Sequence, residues 1–259
     1  MHCISQYLEI AERRLRKQNI QSSFLDAEVL MSAAINRPRE FLYAHPEYEM
    51  TDEEIAKYET FIQRRASREP TAYITGKKEF YGLDFFVDKR VLIPRPETEK
   101  IAESAISIAR AAEGRCMVID VGTGSGCVII AIAKALGDTN EYAAGDISES
   151  ALLVARENAK RHGVLNRIAF FRGNLIDHIL NLPLYHFGTI IVAANLPYIT
   201  PSQYQTLEPE IVLHEPRGAL LTPTDDPDYY YHALDKMITI LSKKTNARIE
   251  RVYETAKGV

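Results

Sequence analysis

The sequence predicts an α/β fold with a mostly parallel sheet, preceded by a small bundle of helices. From residue 97 onward, helical segments alternate with apolar extended segments, which is typical of parallel strands covered by helices. Before that point, residues 5–68 carry apolar side chains at helical spacing. A glycine-rich turn at 122–126, between an apolar extended segment and a helix, marks a candidate ligand site in the α/β part.

Three segments follow from these patterns. Residues 1–70 are predicted to form the helical bundle, in which one helix begins after Thr51, an N-cap followed by acidic residues. Residues 71–96 are predicted to be a linker with a β-hairpin that turns near Gly82, and residues 97–259 the α/β domain. Its predicted strands cover 116–121, 141–145, 167–171, 189–194 and 248–253, and its predicted helices cover 127–136, 148–162 and 229–241.

Size and composition favour a globular protein that acts on a protein or a small molecule. The 259 residues can bury a substantial core, and the formal charge of −4 gives no sign of the broad basic face that binding long nucleic acid requires. Three cysteines without C-x-x-C spacing and seven scattered histidines predict no metal site. We expect a cytoplasmic monomer without a membrane partner, because no long apolar run and no apolar leader is present.

The glycine-rich turn follows a predicted strand that ends in Asp120 and Val121. Its residues are Gly122, Thr123, Gly124, Ser125 and Gly126. Glycines in such a turn let the backbone bend tightly and approach a ligand closely. Cys127 occupies the sixth position of a dinucleotide fingerprint, and the Lys-Ser/Thr ending of a phosphate loop is absent. The turn therefore favours neither a pyrophosphate nor a triphosphate.

A carboxylate stands at the end of the next predicted strand. Asp146 could accept hydrogen bonds from both hydroxyls of a ribose, as carboxylates at this spacing do. An adenosine-containing ligand without phosphates fits this pattern, and S-adenosylmethionine is the common ligand of that kind. Asp120 could then face its ammonium group. Taken alone, Asp146 could instead be the N-cap of the helix that follows.

The tetrapeptide Asn195-Leu196-Pro197-Tyr198 follows the predicted strand at 189–194. The Asn195 side chain and the Leu196 carbonyl could accept the two hydrogens of a planar –NH2 group. Pro197 restricts the backbone at Leu196, and Tyr198 would supply a flat wall. This placement suggests chemistry on an amide or amino nitrogen, whereas the simpler alternative is a turn that ends a strand.

Together these motifs resemble the class I methyltransferases, and specifically the HemK/PrmC family of protein N5-glutamine methyltransferases. The resemblance implies a Rossmann-like domain that binds S-adenosylmethionine. It also implies methylation of the glutamine in the Gly-Gly-Gln motif of peptide-chain release factors, with the helical domain helping to engage the release factor. The motifs that carry it are 68–70, 73–76, 79–83, 92–99, 120–126, 146–148 and 215–220, of which Leu92-Ile93-Pro94-Arg95-Pro96-Glu97-Thr98-Glu99 is the most specific to the family.

The resemblance also implies roles for single residues. The turn at 122–126 would pass under the methionine part of the cofactor, and Asp146 would bind its ribose. Leu175 would lie beside the adenine. The tetrapeptide 195–198 would hold the substrate glutamine, with Asn195 also bordering the cofactor.

Three departures from the family pattern stand out. Leu196 replaces the first proline of the usual Asn-Pro-Pro-Tyr, which keeps the carbonyl but adds an N–H, and Asn-Leu-Pro-Tyr is typical of ribosomal RNA adenine dimethyltransferases. Asn174 stands where an acidic residue is common, which predicts weaker recognition of adenine. Few residues follow the predicted helix at 229–241, so we expect abbreviated terminal strands and a less stable sheet.

Two alternatives to the glutamine methyltransferase remain. An adenine-N6 nucleic-acid methyltransferase would use the same acceptors, because an exocyclic amine is also planar, although the acidic charge argues against it. A non-catalytic homologue that binds S-adenosylmethionine would retain the fold without turnover. Of the remaining candidates, 229–231 is predicted to pack, 214–215 to be loop structure, and Arg95 and Glu97 to shape the pocket at the domain junction.

Overall fold

The computed structural model describes residues 3–184, 186–255 and 258. The chain divides into a helical unit, Met1–Gly76 with Glu208–His214, and an α/β unit, Lys77–Leu207 with Glu215–Val259. The α-helices are α1 (Ile4–Arg16), α2 (Ser23–Ile35), α3 (Arg39–Ala44), α4 (Asp52–Ala66), α5 (Thr71–Thr75), α6 (Glu99–Ala111), α7 (Cys127–Leu136), α8 (Glu149–Arg161), α9 (Pro201–Tyr204), α10 (Pro209–His214) and α11 (Tyr229–Ser242). The strands are β1 (Lys77–Phe80), β2 (Leu83–Phe86), β3 (Cys116–Val121), β4 (Glu141–Asp146), β5 (Ile168–Arg172), β6 (Thr189–Ala194) and β7 (Arg248–Tyr253).

The helical unit packs α1, α2 and α4 around a core of large apolar side chains. Its fully buried members include Leu15, Leu30 and Met31, and the Tyr58 hydroxyl donates to the Ala27 carbonyl oxygen at 3.2 Å. The predicted N-cap at Thr51 is confirmed. Its hydroxyl accepts from the backbone N–H of Glu54, whose carboxylate accepts in turn from the N–H of Thr51, so two of the unpaired donors at the start of α4 are satisfied.

A buried charge cluster brings α10 into this helical unit. Arg65 is buried and pairs with Asp26 at 2.7 Å and with Glu210 of α10 at 2.9 Å, while Arg68 contacts the same Glu210 oxygen at 3.1 Å. Buried charges require partners, so the cluster specifies where α10 packs. The unit therefore extends beyond the predicted segment 1–70 and takes in a segment from late in the chain.

The α/β unit is built on a five-stranded sheet, within the described residues, of order β5-β4-β3-β6-β7 with every neighbouring pair parallel. One face packs against α6, α7 and α8, and the other against α11. The central strands β3 and β6 are buried along their whole length. Since the chain runs from β3 outward to β5 and then returns to β6, the order reverses between β3 and β6, where such sheets bind ligands.

The predicted elements of this unit are confirmed with small shifts at their ends. The strands at 116–121, 189–194 and 248–253 lie where the sequence predicts them, and 141–145 extends by one residue to Asp146. The predicted strand at 167–171 begins one residue later, at Ile168. The hairpin of β1 and β2 turns at Tyr81 and Gly82, both with positive φ. No helix in the described part of the chain has both the length and the apolar character needed to span a bilayer.

Candidate active site

A cavity of about 290 Å³ lies at the carboxyl ends of β3, β4 and β6. Its wall brings together motifs that are far apart in sequence, because parallel strands end at the same edge of the sheet. The predicted site residues on this wall are Gly122, Gly124, Asp146, Leu175, Asn195, Leu196 and Pro197. The other predicted site residues, Asp120, Thr123, Ser125, Gly126 and Tyr198, do not line it, and their proposed contacts with ligands stay predictions.

The glycine-rich turn needs glycine at two positions for different reasons. Gly122 and Gly126 both have positive φ, of 73° and 81°. A Cβ on Gly122 would lie 3.1 Å from Leu196 Cδ2, so the turn passes close to the tetrapeptide. A Cβ on Gly126 would lie 3.0 Å from Ile130 Cδ1 and 3.1 Å from the Cβ of Ala155, where α7 and α8 pack. The turn therefore presents backbone, without side chains, to the cavity.

Replacing Gly126 with alanine is expected to lower the free energy of unfolding by roughly 1–3 kcal/mol, since the new Cβ adds backbone strain and crowds Ala155. Urea unfolding followed by circular dichroism measures the change. Gly218→Ala is the matched control, because a Cβ there would meet no atom within 4 Å and φ is not positive. Equal losses in the two variants would contradict the packing argument.

Asp146 ends β4 with both carboxylate oxygens facing backbone donors. Oδ2 accepts from the N–H of Gly124 at 2.9 Å and Oδ1 accepts from the N–H of Ser148 at 2.8 Å. Burial raises the pKa of this carboxyl group. Each oxygen keeps a second lone pair for a ligand hydroxyl. The alternative interpretation of Asp146 as an N-cap is wrong, because Ser148 caps α8 by accepting from the N–H of Ala151.

Asp120 lies beneath the glycine-rich turn and is almost fully buried. Its Oδ2 accepts from the Thr123 hydroxyl at 2.6 Å. Burial raises the pKa of Asp120 to about 7, and the negative charge of Asp146 acts in the same direction. Near neutral pH the folded protein therefore holds this group close to its midpoint of ionisation.

Asp120→Asn is expected to flatten the dependence of stability on pH. The ordinary pKa of 3.8 in the unfolded chain and a value of about 7 in the folded protein mean that the folded state binds more protons between these two values. The stability contributed by protonated Asp120 is complete below the unfolded pKa and is lost as pH rises through the folded one, by about 1 kcal/mol per pH unit. Urea titrations from acidic to neutral pH measure it, and parallel profiles for the two proteins would contradict the assignment.

Three residues from other parts of the chain, Thr98, Tyr231 and Glu254, form hydrogen bonds with the tetrapeptide. Asn195 Nδ2 donates to Thr98 Oγ1 at 3.0 Å, and the N–H of Leu196 donates to the Tyr231 hydroxyl at 2.9 Å. The hydroxyl of half-buried Tyr198 lies 3.4 Å from a carboxylate oxygen of Glu254. Burial first, and then the Glu254 charge, raise the pKa of Tyr198. The N–H that Leu196 adds to the family pattern therefore has a partner, and Tyr231 bonds the tetrapeptide as well as packing.

The sequence interpretation gave no site role to Thr98 or Glu254, although both are buried and bonded to the tetrapeptide. Glu254 directly follows β7, so the rule that selected Asp146 and Asn195, a polar residue at the carboxyl end of a strand, also selects it. Arg95 donates to Glu215 at 2.5 Å, and Glu215 also accepts from the N–H of Ile93. Other wall residues for which the sequence predicted no contact with a ligand include Arg90, Val91, Leu92, Pro216, Ala219 and Tyr230.

His, Cys, Asp and Glu side chains occur throughout the residues that the structure describes. Among them, no group of three His, Cys, Asp or Glu residues is placed to hold a metal ion. The cavity wall offers hydrogen-bond acceptors, backbone and side-chain donors, the Arg90 guanidinium and apolar surface.

Comparisons with known proteins agree with this geometry. The family model described as PrmC N-terminal domain matches residues 6–76, and the one described as Methyltransferase domain matches residues 118–213. The release factor glutamine methyltransferase of Geobacter sulfurreducens is 37% identical over 88% of this chain and 76% of its own length. The one from Chlorobaculum tepidum is 38% identical over 80% of this chain and 71% of its own.

Among solved structures, the likeness is weaker. The hMettl16 catalytic domain in complex with MAT2A 3′UTR hairpin 6 aligns with a TM-score of 0.48 at 15% identity, over 75% of this chain and 66% of that chain. The two sequence relatives each match more than two thirds of their own length at more than 30% identity. The chain therefore belongs to the family of release factor glutamine methyltransferases.

Proposed function

We propose that this protein transfers a methyl group from S-adenosylmethionine to the side-chain amide nitrogen, N5, of the glutamine in the Gly-Gly-Gln motif of peptide-chain release factors. The observation that carries the proposal is the pair of acceptors at Asn195 and Leu196 on the cavity wall, next to the glycine-rich turn. Membership in the family supports the same reaction. Leu196 is shared with the adenine pattern, but the sequence relatives favour the glutamine substrate.

The cavity wall fits S-adenosylmethionine. Backbone without side chains at Gly122 and Gly124 leaves room for the methionine part, and Asp146 has one free lone pair on each oxygen for the two ribose hydroxyls. Leu175 supplies apolar surface for the adenine. Asp120, poised near its midpoint of ionisation, would become fully ionised beside an ammonium group. When bound, the cofactor supplies an electrophilic methyl group on a sulfonium.

The chain contributes alignment and charge stabilisation. A carboxamide nitrogen is a poor nucleophile because its lone pair is delocalised, so the geometry of attack has to be set by the protein. Asn195 Oδ1 and the Leu196 carbonyl would accept its two N–H hydrogens and hold the nitrogen in line with the methyl group. The same oxygens would stabilise the positive charge that develops on the nitrogen. No strong base is required, since the methylated nitrogen can release its proton to water.

Methyl transfer from radiolabelled S-adenosylmethionine to a purified release factor tests the proposal. Label is expected on the release factor with its Gly-Gly-Gln glutamine and not on the variant in which that glutamine is alanine. Label in an adenine-containing RNA instead would support the nucleic-acid alternative. Calorimetric binding of cofactor and release factor without any label would support the non-catalytic alternative and overturn the proposed activity.

We further infer that the helical unit engages the release factor and that the protein acts as a cytoplasmic monomer. Large apolar side chains are exposed on this unit, including neighbouring Phe24 and Leu25 of α2 at 55% and 47% exposure. Phe24→Ser with Leu25→Ser is expected to raise KM for the release factor several-fold at an unchanged kcat. Ile240→Ser, on an equally exposed residue of α11, is the control. Equal KM values in both variants would contradict this role of the helical unit.

A further inference from the structure

Four polar groups of Glu254 bond either to the tetrapeptide or to residues that contact it. Its Oε2 accepts from the Thr98 hydroxyl at 2.6 Å, and its Oε1 lies 3.4 Å from the Tyr198 hydroxyl. Its backbone carbonyl accepts from the Tyr231 hydroxyl, and its N–H donates to Ala194, the residue before the tetrapeptide, at 3.0 Å. Glu254 is buried at 5% exposure, so these bonds form away from bulk water.

Thr98 links Glu254 to Asn195 by two hydrogen bonds, and the direction of each follows from which atoms carry a hydrogen. A carboxylate accepts only, so the Thr98 hydroxyl must donate its one proton to Glu254. Thr98 Oγ1 can then only accept from its other neighbour, and Asn195 Nδ2 is the group that donates to it. Within the described residues no donor is bonded to Asn195 Oδ1, which stays available as an acceptor.

We propose that Glu254 is a positioning residue that, through Thr98, sets the orientation of the Asn195 amide and so keeps Oδ1 available to the substrate nitrogen. This inference rests on the proposed function, because the substrate must present an –NH2 group for that orientation to matter. The reversed amide would present its own –NH2 to the substrate, so that two donors would face each other. Reversal would leave the substrate with one acceptor, the Leu196 carbonyl, and would misalign the nitrogen.

Two substitutions disrupt the hydrogen bonds that link Glu254 to Asn195 through Thr98, and neither changes the shape of the side chain. Thr98→Val deletes the hydroxyl, and Glu254→Gln replaces one acceptor oxygen by a donor, which frees the Thr98 proton to face Asn195. Both are expected to lower kcat about tenfold, with KM for the release factor changed less and the circular dichroism spectrum unchanged. Thr98→Ser keeps the hydroxyl and is expected to stay within about threefold of the wild type. Glu250→Gln, on the preceding strand β7 and paired with Arg248, is the matched control.

A second measurement does not depend on turnover. In the 15N-labelled wild-type protein, the side-chain –NH2 signal of Asn195, identified by its loss in Asn195→Asp, is expected to show slow exchange with solvent. Thr98→Val is expected to speed this exchange at least tenfold, and Thr98→Ser to preserve it.

The outcomes separate the two proposals. If the wild type does not label the release factor, the proposed function is overturned, and the exchange measurement still decides whether Thr98 holds the amide. If the wild type is active while Thr98→Val and Glu254→Gln match its kcat, the positioning role is overturned. Equal damage by Thr98→Ser and Thr98→Val would also overturn it, because the hydroxyl would then not be the group responsible.

Discussion

Asn195→Ala is expected to lower kcat for methyl transfer by roughly 10²–10³-fold, the usual effect of removing one group that stabilises a developing charge. The variant loses the Oδ1 acceptor and the bond from Nδ2 to Thr98, so the substrate nitrogen would be held by the Leu196 carbonyl alone. Single-turnover labelling of a release factor at saturating cofactor measures the chemical step directly. Stability should change little, since Asn195 is only half-buried.

The control for this prediction is Asn166→Ala, an exposed asparagine outside the cavity wall, which should keep the wild-type rate. Cofactor affinity of Asn195→Ala, measured by calorimetry, separates a catalytic loss from a binding loss. A rate within threefold of the wild type would contradict the assignment of Asn195 as the principal acceptor. If only KM for the cofactor changed, Asn195 would contact the cofactor and not the substrate amide.

Asp146→Ala is expected to weaken binding of S-adenosylmethionine by roughly 10²-fold, because hydrogen bonds to a charged group contribute about 1.5–3 kcal/mol each and two ribose hydroxyls would lose their acceptor. The variant also releases the N–H groups of Gly124 and Ser148 that now donate to the carboxylate. Isothermal titration calorimetry with cofactor alone measures the effect. At saturating cofactor, kcat should recover much more than it does in Asn195→Ala.

Asp138→Ala is the matched control for charge, because its side chain is 86% exposed and lies outside the cavity wall. It should bind the cofactor as the wild type does. An unchanged dissociation constant in Asp146→Ala would contradict the ribose assignment. If Asp138→Ala and Asp146→Ala lost the same affinity for the cofactor, only the overall charge of the protein would matter.

The sequence predicted well those features that depend on local spacing. Apolar runs placed β3 and β6 without error, and the carboxyl ends of β3, β4 and β6 gave the glycine-rich turn, Asp146 and Asn195. These predictions succeed because parallel strands end at one edge, so a pattern along the chain becomes a pattern in space. Leu175 was predicted as a site residue only through the family resemblance. Its backbone has a positive φ, which no local sequence pattern indicated.

Long-range partners were not predictable in the same way. Nothing along the chain indicates that Thr98 bonds Asn195, 97 residues later, or that Tyr231 compensates for Leu196 by accepting its N–H. Glu210 likewise lies in a stretch read as part of the α/β domain, yet it pairs with Arg65. Each of these contacts depends on which elements pack together, and that packing is determined by the whole core rather than by any local run of residues.

The inclusion of α10 in the helical unit makes that unit discontinuous, with consequences for the order of its folding. Arg65 precedes its partner Glu210 by 145 residues. At ordinary rates of synthesis, Glu210 leaves the ribosome on the order of ten seconds after Arg65. During that interval Arg65 can pair with Asp26 but still lacks Glu210, its second ion-pair partner. The first part of the chain to be made is therefore among the last to reach its final packing.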